Sequence, residues 1–550
     1  MSNLLSQASL VMIPSGYKED VVYSAIPTNG SGDLSFTRAS NGTRVNSAGL
    51  VEVVPWNLFI NSENFSVWNA QGSSVTLNST TAPNGTLTAS TIIESNTTDE
   101  HNRYLEPSIG GGEFTYSIYL KRFNTDWSAL YIFNTVVGGV RYWVNLSTLT
   151  AGTSANIGSG IGTTSMSLES VGNGWVRASI SFTNPSGACR FYVANAQSNG
   201  GASSYAGNGT NGLYAWGAQV NVGSTAKPYF PTTDRLNVPR LTYQNGGGGC
   251  PSLLLEKQST NLVTYSEQFD NAAWSKSGAT VTANDAISPD GTQNADKIVF
   301  SGADKQIFQT FNVTNHTLSI YIKGTAGETI VIGFGAGADI THTLTGGFDR
   351  VSVTGTSIFF VFIGTFNGAT ARTIYLWGAQ LENSSYPTSY IPTTSSSATR
   401  VADACQLSMG TLLAQSNWTI FFDHKIVGGE GGSAPIYSLY ESGNDNVFLY
   451  VNGNAGLNLY MPLQGGYVFG TGNNNGFVPN QRSKVLLKYN GTTIKYYING
   501  VLYGSASASL TYTQRALWYE TSGGKSFQVN ETVFFPTALS DADAIALTTI

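Results

Sequence analysis

The stretch YAWGAQVNVGSTAKPYFPTT at residues 214–233 returns as YLWGAQLENSSYPTSYIPTT at residues 375–394. Three earlier phrases return with it, in the same order. NLFINSENFSVWN from Asn57 reads against NLVTYSEQFDNAAW from Asn261, TYSIYLK from Thr115 against TLSIYIK from Thr317, and GNGWVRASIS from Gly172 against GGFDRVSVT from Gly346. Four matched phrases in one order define a duplicated unit. Runs such as Tyr116-Ser117-Ile118-Tyr119-Leu120 and Val351-Ser352-Val353 alternate apolar and polar residues with period two, which marks strands with one buried face. Turn signals at Pro83-Asn84-Gly85, Pro289-Asp290-Gly291 and Asn499-Gly500 punctuate them. Regular strand spacing with almost no helical period predicts β-sandwiches. One helix is expected, at 541–547, where Ser540 can cap a first turn holding Asp541 and Asp543.

Spacing shows where the copies differ. Thr115 and Gly174 stand 59 positions apart, Thr317 and Gly347 only 30. Gly174 and Trp216 are separated by 42 positions, Gly347 and Trp377 by 30. The first copy therefore carries two insertions, and the larger one spans Trp127, Tyr131, Tyr142 and Trp143. Insertions on a constant scaffold are where specificity usually resides. Trp216 and Trp377, at matched positions, are assigned to the cores.

The 550 residues divide into four regions. Residues 1–56 form an extended attachment or linker segment, 57–243 a first sandwich, 244–403 a linker cassette plus second sandwich, and 404–550 a different β module. Charged residues make up 11% of the chain and apolar ones 41%, enough to fill cores and argue against disorder. Net charge is −6 with Lys and Arg scattered, so no positive stripe exists to track phosphates and nucleic acid is excluded as a partner. No apolar run approaches the ~20 residues of a membrane span. The amino terminus lacks a basic leader, so the chain is expected to fold in the cytoplasm where it is made. Cys189, Cys250 and Cys405 are odd in number and widely spaced, and read as reduced structural thiols. Asn-x-Ser/Thr triplets at Asn41, Asn64, Asn145 and Asn490 follow from composition and are not read as glycan acceptors. In the connectors, Leu253-Leu254-Leu255 would be exposed unless docked along a module edge, and docking is expected.

The opening FTRASNGTRVNSAGLVEVVPWNLFINSE from Phe36 and the cassette CPSLLLEKQSTNLVTYSEQFDNAAWSKSGATVTANDAISPDGTQNADKIV from Cys250 resemble tailed-bacteriophage virion proteins, the fibres or spikes of heads and tails. The repeats ending near WGAQ look like the jelly-roll, carbohydrate-binding-like modules of such proteins. KVLLKYNGTTIKYYINGVLYGSA from Lys484 and VFFPTALSDADAIAL from Val533 resemble the laminin-G/concanavalin A-like sandwich. The resemblance implies an all-β chain: two tandem jelly rolls, then a concanavalin A/laminin-G-like sandwich, preceded by an extended segment. It implies a virion location, assembly in the host cytoplasm, contact with other capsid or tail proteins, and a homo-oligomer with a trimer as first expectation. Jelly-roll and concanavalin-like modules often hold a structural calcium, for which Asp270, Asp290, Asp296 and Asp445 are candidate oxygen donors, with ordinary turn capping the competing reading of each; no other cofactor is implied.

Reaction chemistry is sparse. Glu63, Glu113, Glu267 and Asp270 could supply a glycosidase carboxylate pair. Yet Glu63 and Glu267 sit inside the duplicated NLxxxSExF phrase, where a shared structural bond is the simpler reading. The four histidines, His101, His316, His342 and His424, lack metal-ligand spacing. No GxSxG elbow occurs, and the Gly-rich runs lack a following Lys-Ser/Thr. No catalytic residue and no metal site is assigned. Aromatics remain, because sugars stack flat C–H faces on Trp or Tyr. The candidate ligand-binding residues are Trp127, Tyr131, Tyr142 and Trp143 in the first module, and Tyr440 and Tyr450 in the last. Against this stands the reading that such rings fill cores. The expected function is a non-enzymatic head or tail fibre or spike that adheres to bacterial surface polysaccharide. The alternatives are a decoration protein without ligand and a polysaccharide-degrading spike.

Overall fold

In a computed structural model, the duplicated phrases form the same set of hydrogen bonds twice. The Asn57 side-chain amide donates to the carbonyls of Ala218 (3.1 Å) and Phe230 (2.9 Å) and accepts from the amides of Phe59 and Val220. Asn261 does the same with Ala379 (3.0 Å), Ile391 (2.8 Å), Val263 and Leu381. Ser62 and Tyr229 pair at 2.8 Å, and Ser266 and Tyr390 at 2.6 Å. Tyr229 then donates to Glu63 and Tyr390 to Glu267. Both glutamates are therefore structural acceptors, as their place in the repeat implied. The WGAQ phrase supplies a bulge in each copy. Gly217 and Gly378 take φ of 60° and 65°, and a Cβ there would press on Tyr119 and Tyr229, or on Tyr321 and Tyr390.

The structure describes residues 2–550 except 108, 186, 245–246, 336–337, 409–415, 430–432, 441–446, 453–456, 462–465, 470–479, 511–515, 520 and 522–524. For some strand residues near these gaps, Tyr440 and Tyr450 among them, only the backbone is described. Two compact units result: Pro55–Arg235, and an assembly of Met1–Val54 with Leu236–Ile550.

The first unit is a sandwich of two six-stranded antiparallel sheets. One runs in the order Asn69–Gln71, Asn102–Leu105, Cys189–Ala196, Trp127–Asn134, Gly138–Asn145, Thr150–Gly158. The other runs Ser73–Thr80, Ala89–Glu94, Gly212–Val222, Gly112–Arg122, Trp175–Asn184, Thr164–Gly172. The second copy repeats both orders with five strands each: Ser275–Ser277, Gln306–Val313, Ile358–Gly364, Thr329–Gly333, Ile340–Thr343, and Ala279–Ile287, Gln293–Phe300, Arg372–Glu382, His316–Gly324, Asp349–Gly355. The larger insertion of the first copy thus adds one edge strand to each sheet. Trp216 and Trp377 pack with Tyr229 and Tyr390 in satellite clusters beside the bulges, outside the main sandwich interiors.

The carboxy-terminal sandwich has an eight-stranded and a nine-stranded sheet. The amino-terminal segment contributes to both: Leu10–Met12 pairs with Lys525–Phe535, and Leu34–Thr37 with Ala404–Ser408. The sequence reads it as an extended attachment or linker segment, whereas its Leu10, Met12, Leu34 and Phe36 are buried in the core of that sandwich. Leu253–Leu255 pairs with Phe527–Val529, the docking its apolar side chains required. The terminal helix spans Asp541–Thr548, with Ser540 Oγ accepting the Asp543 amide at 3.0 Å. A four-residue turn of helix, Ser2–Leu5, was not anticipated.

The connectors meet in a buried ionic network. Arg38 donates to Asp403 at 2.9 Å, and Arg240 donates to Asp403 and, at 2.7 Å, to Glu256. Arg400 reaches Glu256 at 3.1 Å. All five side chains are at most 2% exposed. Burial alone would raise Glu256, but Arg400 and Arg240 hold it down at about 2. Burial and the neighbouring Arg240 and Arg400 lower Arg38 to about 10, against the pull of Asp403.

Asn261→Ala strands two carbonyls and two amides and is expected to cost about 3 kcal/mol or more in denaturant unfolding. Asn490→Ala, at an exposed turn, is expected to cost less than about 1 kcal/mol. Asp403→Asn breaks a shared buried ion pair and should cost about 3–5 kcal/mol; a loss below about 1 kcal/mol would show that the network contributes little. His424 is fully buried, both ring nitrogens lack a partner, and burial lowers its pKa to about 4 although adjacent Asp423 pulls the other way. The unfolded chain takes up this proton below pH 6.5 and the folded chain does not. Stability should therefore fall as pH drops from 6.5 towards 4, by up to about 1.4 kcal/mol per pH unit. His424→Leu, followed by thermal melts at pH 7 and pH 5, should flatten that decline.

Candidate functional site

Along Trp127–Asn134, Leu130 and Ile132 point into the sandwich core while Ala129, Tyr131 and neighbouring Trp127 and Phe133 form a cluster on the opposite face. The strand is apolar on both faces, so its outward side is either a second small core or a binding surface. Cross-strand register builds rows on it. Tyr104 lies opposite Tyr192, Tyr192 opposite Tyr131, and Tyr131 opposite Arg141. The next row sets Asn102, Ala194, Ala129 and Trp143 side by side. Trp127 follows, opposite Ala196.

The tyrosine row is stacked. Tyr104 and Tyr192 have ring centroids 4.7 Å apart, and Tyr192 and Tyr131 are 4.0 Å apart with planes 11° from parallel. The Arg141 guanidinium lies 4.3 Å from the Tyr131 centroid and 5.9 Å from that of Trp143. Tyr192 therefore covers one side of the Tyr131 ring while Arg141 sits over it. The Tyr131 hydroxyl donates to Glu100 at 2.9 Å and accepts from Asn102 at 2.8 Å. Burial and the Glu100 carboxylate push this phenol far above its ordinary pKa, so it stays a neutral donor. At the rim, Arg190 pairs with Glu106 at 2.7 Å and lies over Tyr104, and Gln71 donates to Asp99 at 3.0 Å.

Of the residues singled out from sequence, Trp127, Tyr131 and Trp143 share this face. Tyr142 does not: strand alternation turns it to the sandwich interior, where its hydroxyl meets Thr164 Oγ1 at 3.0 Å. The side chains of Tyr440 and Tyr450 lie outside the described residues. The sequence reading missed Glu100, Asn102, Tyr104, Arg141 and Tyr192. Their signal is the period-two pattern Asn102-x-Tyr104 and Tyr192-x-Ala194-x-Ala196, which matters only once the strands are known to be neighbours. In the second copy the corresponding rows hold phenylalanines: Phe308 lies opposite Phe362, and Thr310 opposite Phe360.

Two of the acidic candidates elsewhere, Asp290 and Asp296, are committed to hydrogen bonds within the fold. Asp296 accepts amides of Phe269 (2.7 Å) and Asn284 (2.9 Å), and Asp290 accepts from Ser288 and from the amide and hydroxyl of Thr292. Asp270 is exposed, and Asp445 lies outside the described residues. Among the described residues, no group of three or more His, Cys, Asp or Glu is placed to hold a metal ion. Glu267 is pushed up to about 7 by burial and then by Asp290, with Asp296 adding to it.

No family model matches this sequence, and no curated protein matches it. Solved structures resemble parts of the fold. The CBM40 module of Ruminococcus gnavus IT-sialidase bound to α2,3-sialyllactose shares 16% identity over 26% of this chain and 85% of its own, with a TM-score of 0.21. The CBM22-1–CBM22-2 tandem domain of Paenibacillus barcinonensis Xyn10C shares 10% identity over 59% of this chain and 97% of its own, with a TM-score of 0.20. Xylan β-1,4-xylosidase from Bacillus halodurans C-125 shares 10% identity over 87% of this chain, with a TM-score of 0.17. At such scores no residue correspondence follows.

Proposed function

We propose that this chain is a non-catalytic glycan-binding protein whose first sandwich takes sugar on the outward face of the Trp127–Asn134 sheet. The observation that carries the reading is the face itself. Aromatic rings in register stand beside a fixed carboxylate, an amide and a guanidinium, on a sheet side that the sandwich core does not use. Aromatic bodies supply stacking area, and the polar groups supply directional hydrogen bonds. The finer reading takes the chain as a head or tail fibre or spike of a tailed-phage virion, assembled in the host cytoplasm and held by other virion proteins. There it adheres to bacterial surface polysaccharide, and trimeric presentation converts weak single sites into avidity.

A second reading, a decoration protein without ligand, is favoured by one observation: Tyr131, Trp143 and Tyr192 are only 4%, 5% and 8% exposed, the burial expected of a satellite core. Trp127 separates the two, because it is the partly exposed tryptophan of this face. Glycan-array binding by the full chain is expected to drop at least tenfold, about 1.4 kcal/mol, in Trp127→Ala, with an unchanged melting temperature. A blank array for the unaltered chain supports decoration. New reducing ends released from host polysaccharide would instead establish catalysis.

A further inference from the structure

Resting on that glycan reading, we infer that the sugar is a neutral one whose adjacent hydroxyls bridge Glu100 and Arg141. Two observations converge. Glu100 is pinned through one oxygen, because Oε2 accepts from the Asn102 amide (3.0 Å) and the Tyr131 hydroxyl (2.9 Å). The other oxygen, Oε1, stands 3.9 Å from the nearest Arg141 nitrogen, too far for a hydrogen bond. Arg141 is held by Tyr131 and Trp143 through its π-facing plane, and its Nε is buried without a partner. Its side chain is 12% exposed and that of Glu100 is 29% exposed, so neither is fully closed off from solvent.

The gap thus has a charged acceptor on one side, fixed by hydrogen bonds, and a charged donor on the other, held against two aromatic rings. A hydroxyl is donor and acceptor at once. Two hydroxyls on neighbouring carbons can give one proton to Glu100 Oε1 and accept from Arg141, and both contacts are charge-assisted. A carboxylate-bearing sugar fits worse: it would gain from Arg141 but face Glu100 with like charge and no proton to donate. The opposed charges cancel, which selects for uncharged, hydroxyl-rich units.

Affinity electrophoresis of the full chain through gels holding dextran, galactomannan or polygalacturonate tests this. Retardation is expected in a neutral polymer, and periodate oxidation followed by borohydride reduction of that polymer, which destroys adjacent hydroxyl pairs, should abolish it. Glu100→Gln keeps the Tyr131 bond while removing the charge, and should weaken retention at least tenfold, as should Arg141→Met; unchanged thermal melts certify folding. Retention that survives both substitutions and periodate but is lost in Trp127→Ala overturns this inference and leaves the glycan reading standing. Preferential retention by polygalacturonate does the same. Absence of retention in every polymer counts against both.

Discussion

Arg38, Arg240 and Arg400 come from three separate connectors, and their charges are satisfied only when all three connectors have arrived. Asp403 is shared by Arg38 and Arg240, and Glu256 by Arg240 and Arg400. Ser389 ties the second sandwich into the same cluster through its amide and hydroxyl, both given to Glu256 at 2.7 and 2.6 Å. Thr388 links Arg400 to Glu382, a third buried carboxylate. A charge buried without its partner is far more costly than the pair is favourable, so partial assemblies of this cluster are disfavoured. The network thereby makes otherwise polar linkers all-or-none parts of the core. It also explains why the first 54 residues and the cassette near 240–256 fold with the carboxy-terminal sandwich.

The duplicated sandwiches rest on a smaller device of the same kind. Asn57 and Asn261 each clip the entering chain to the last strand and to the segment after it, and the Ser–Tyr–Glu chain closes the clip. With that frame constant, the outward face is free to diverge. One copy carries tyrosines, Arg141 and Glu100. The other carries Phe308, Phe360 and Phe362. Rigid strands set the spacing, and the added edge strand Thr150–Gly158 widens the sheet beside Arg141 and Trp143.

Much of the fold was legible because it is written locally. Period-two alternation located the strands, Asn499-Gly500 marked a hairpin with both residues at positive φ, and Ser540 announced the helix. The repeat identified the clip residues without revealing what they bond. The ionic network was not legible: docking of the connectors was expected from their apolar residues, and nothing local in the sequence shows that Arg38, Arg240 and Arg400 meet, because only long-range pairing buries them together. The site was half legible. Trp127, Tyr131 and Trp143 were marked by lying in an insertion, but Tyr142 has the same composition signal and faces inward. Glu100, Asn102 and Tyr192 come from strands far along the chain, and register alone brings them to Arg141. The Asn-x-Ser/Thr triplets also had a physical role that composition hid. At Asn64, Asn145 and Asn490 the side-chain oxygen accepts from both the amide and the hydroxyl two residues on, forming turns.

The central claim is that a duplicated β scaffold offers one diverged sheet face to a sugar. A crystal structure of the full chain with an oligosaccharide of a polysaccharide it retains tests this most directly. Sugar density across Asn102–Leu105, Trp127–Asn134 and Gly138–Asn145, within hydrogen-bond distance of Glu100 and Arg141, is the predicted result. Density on the phenylalanine face of the second copy or on the carboxy-terminal sandwich, with the first face empty, would contradict it.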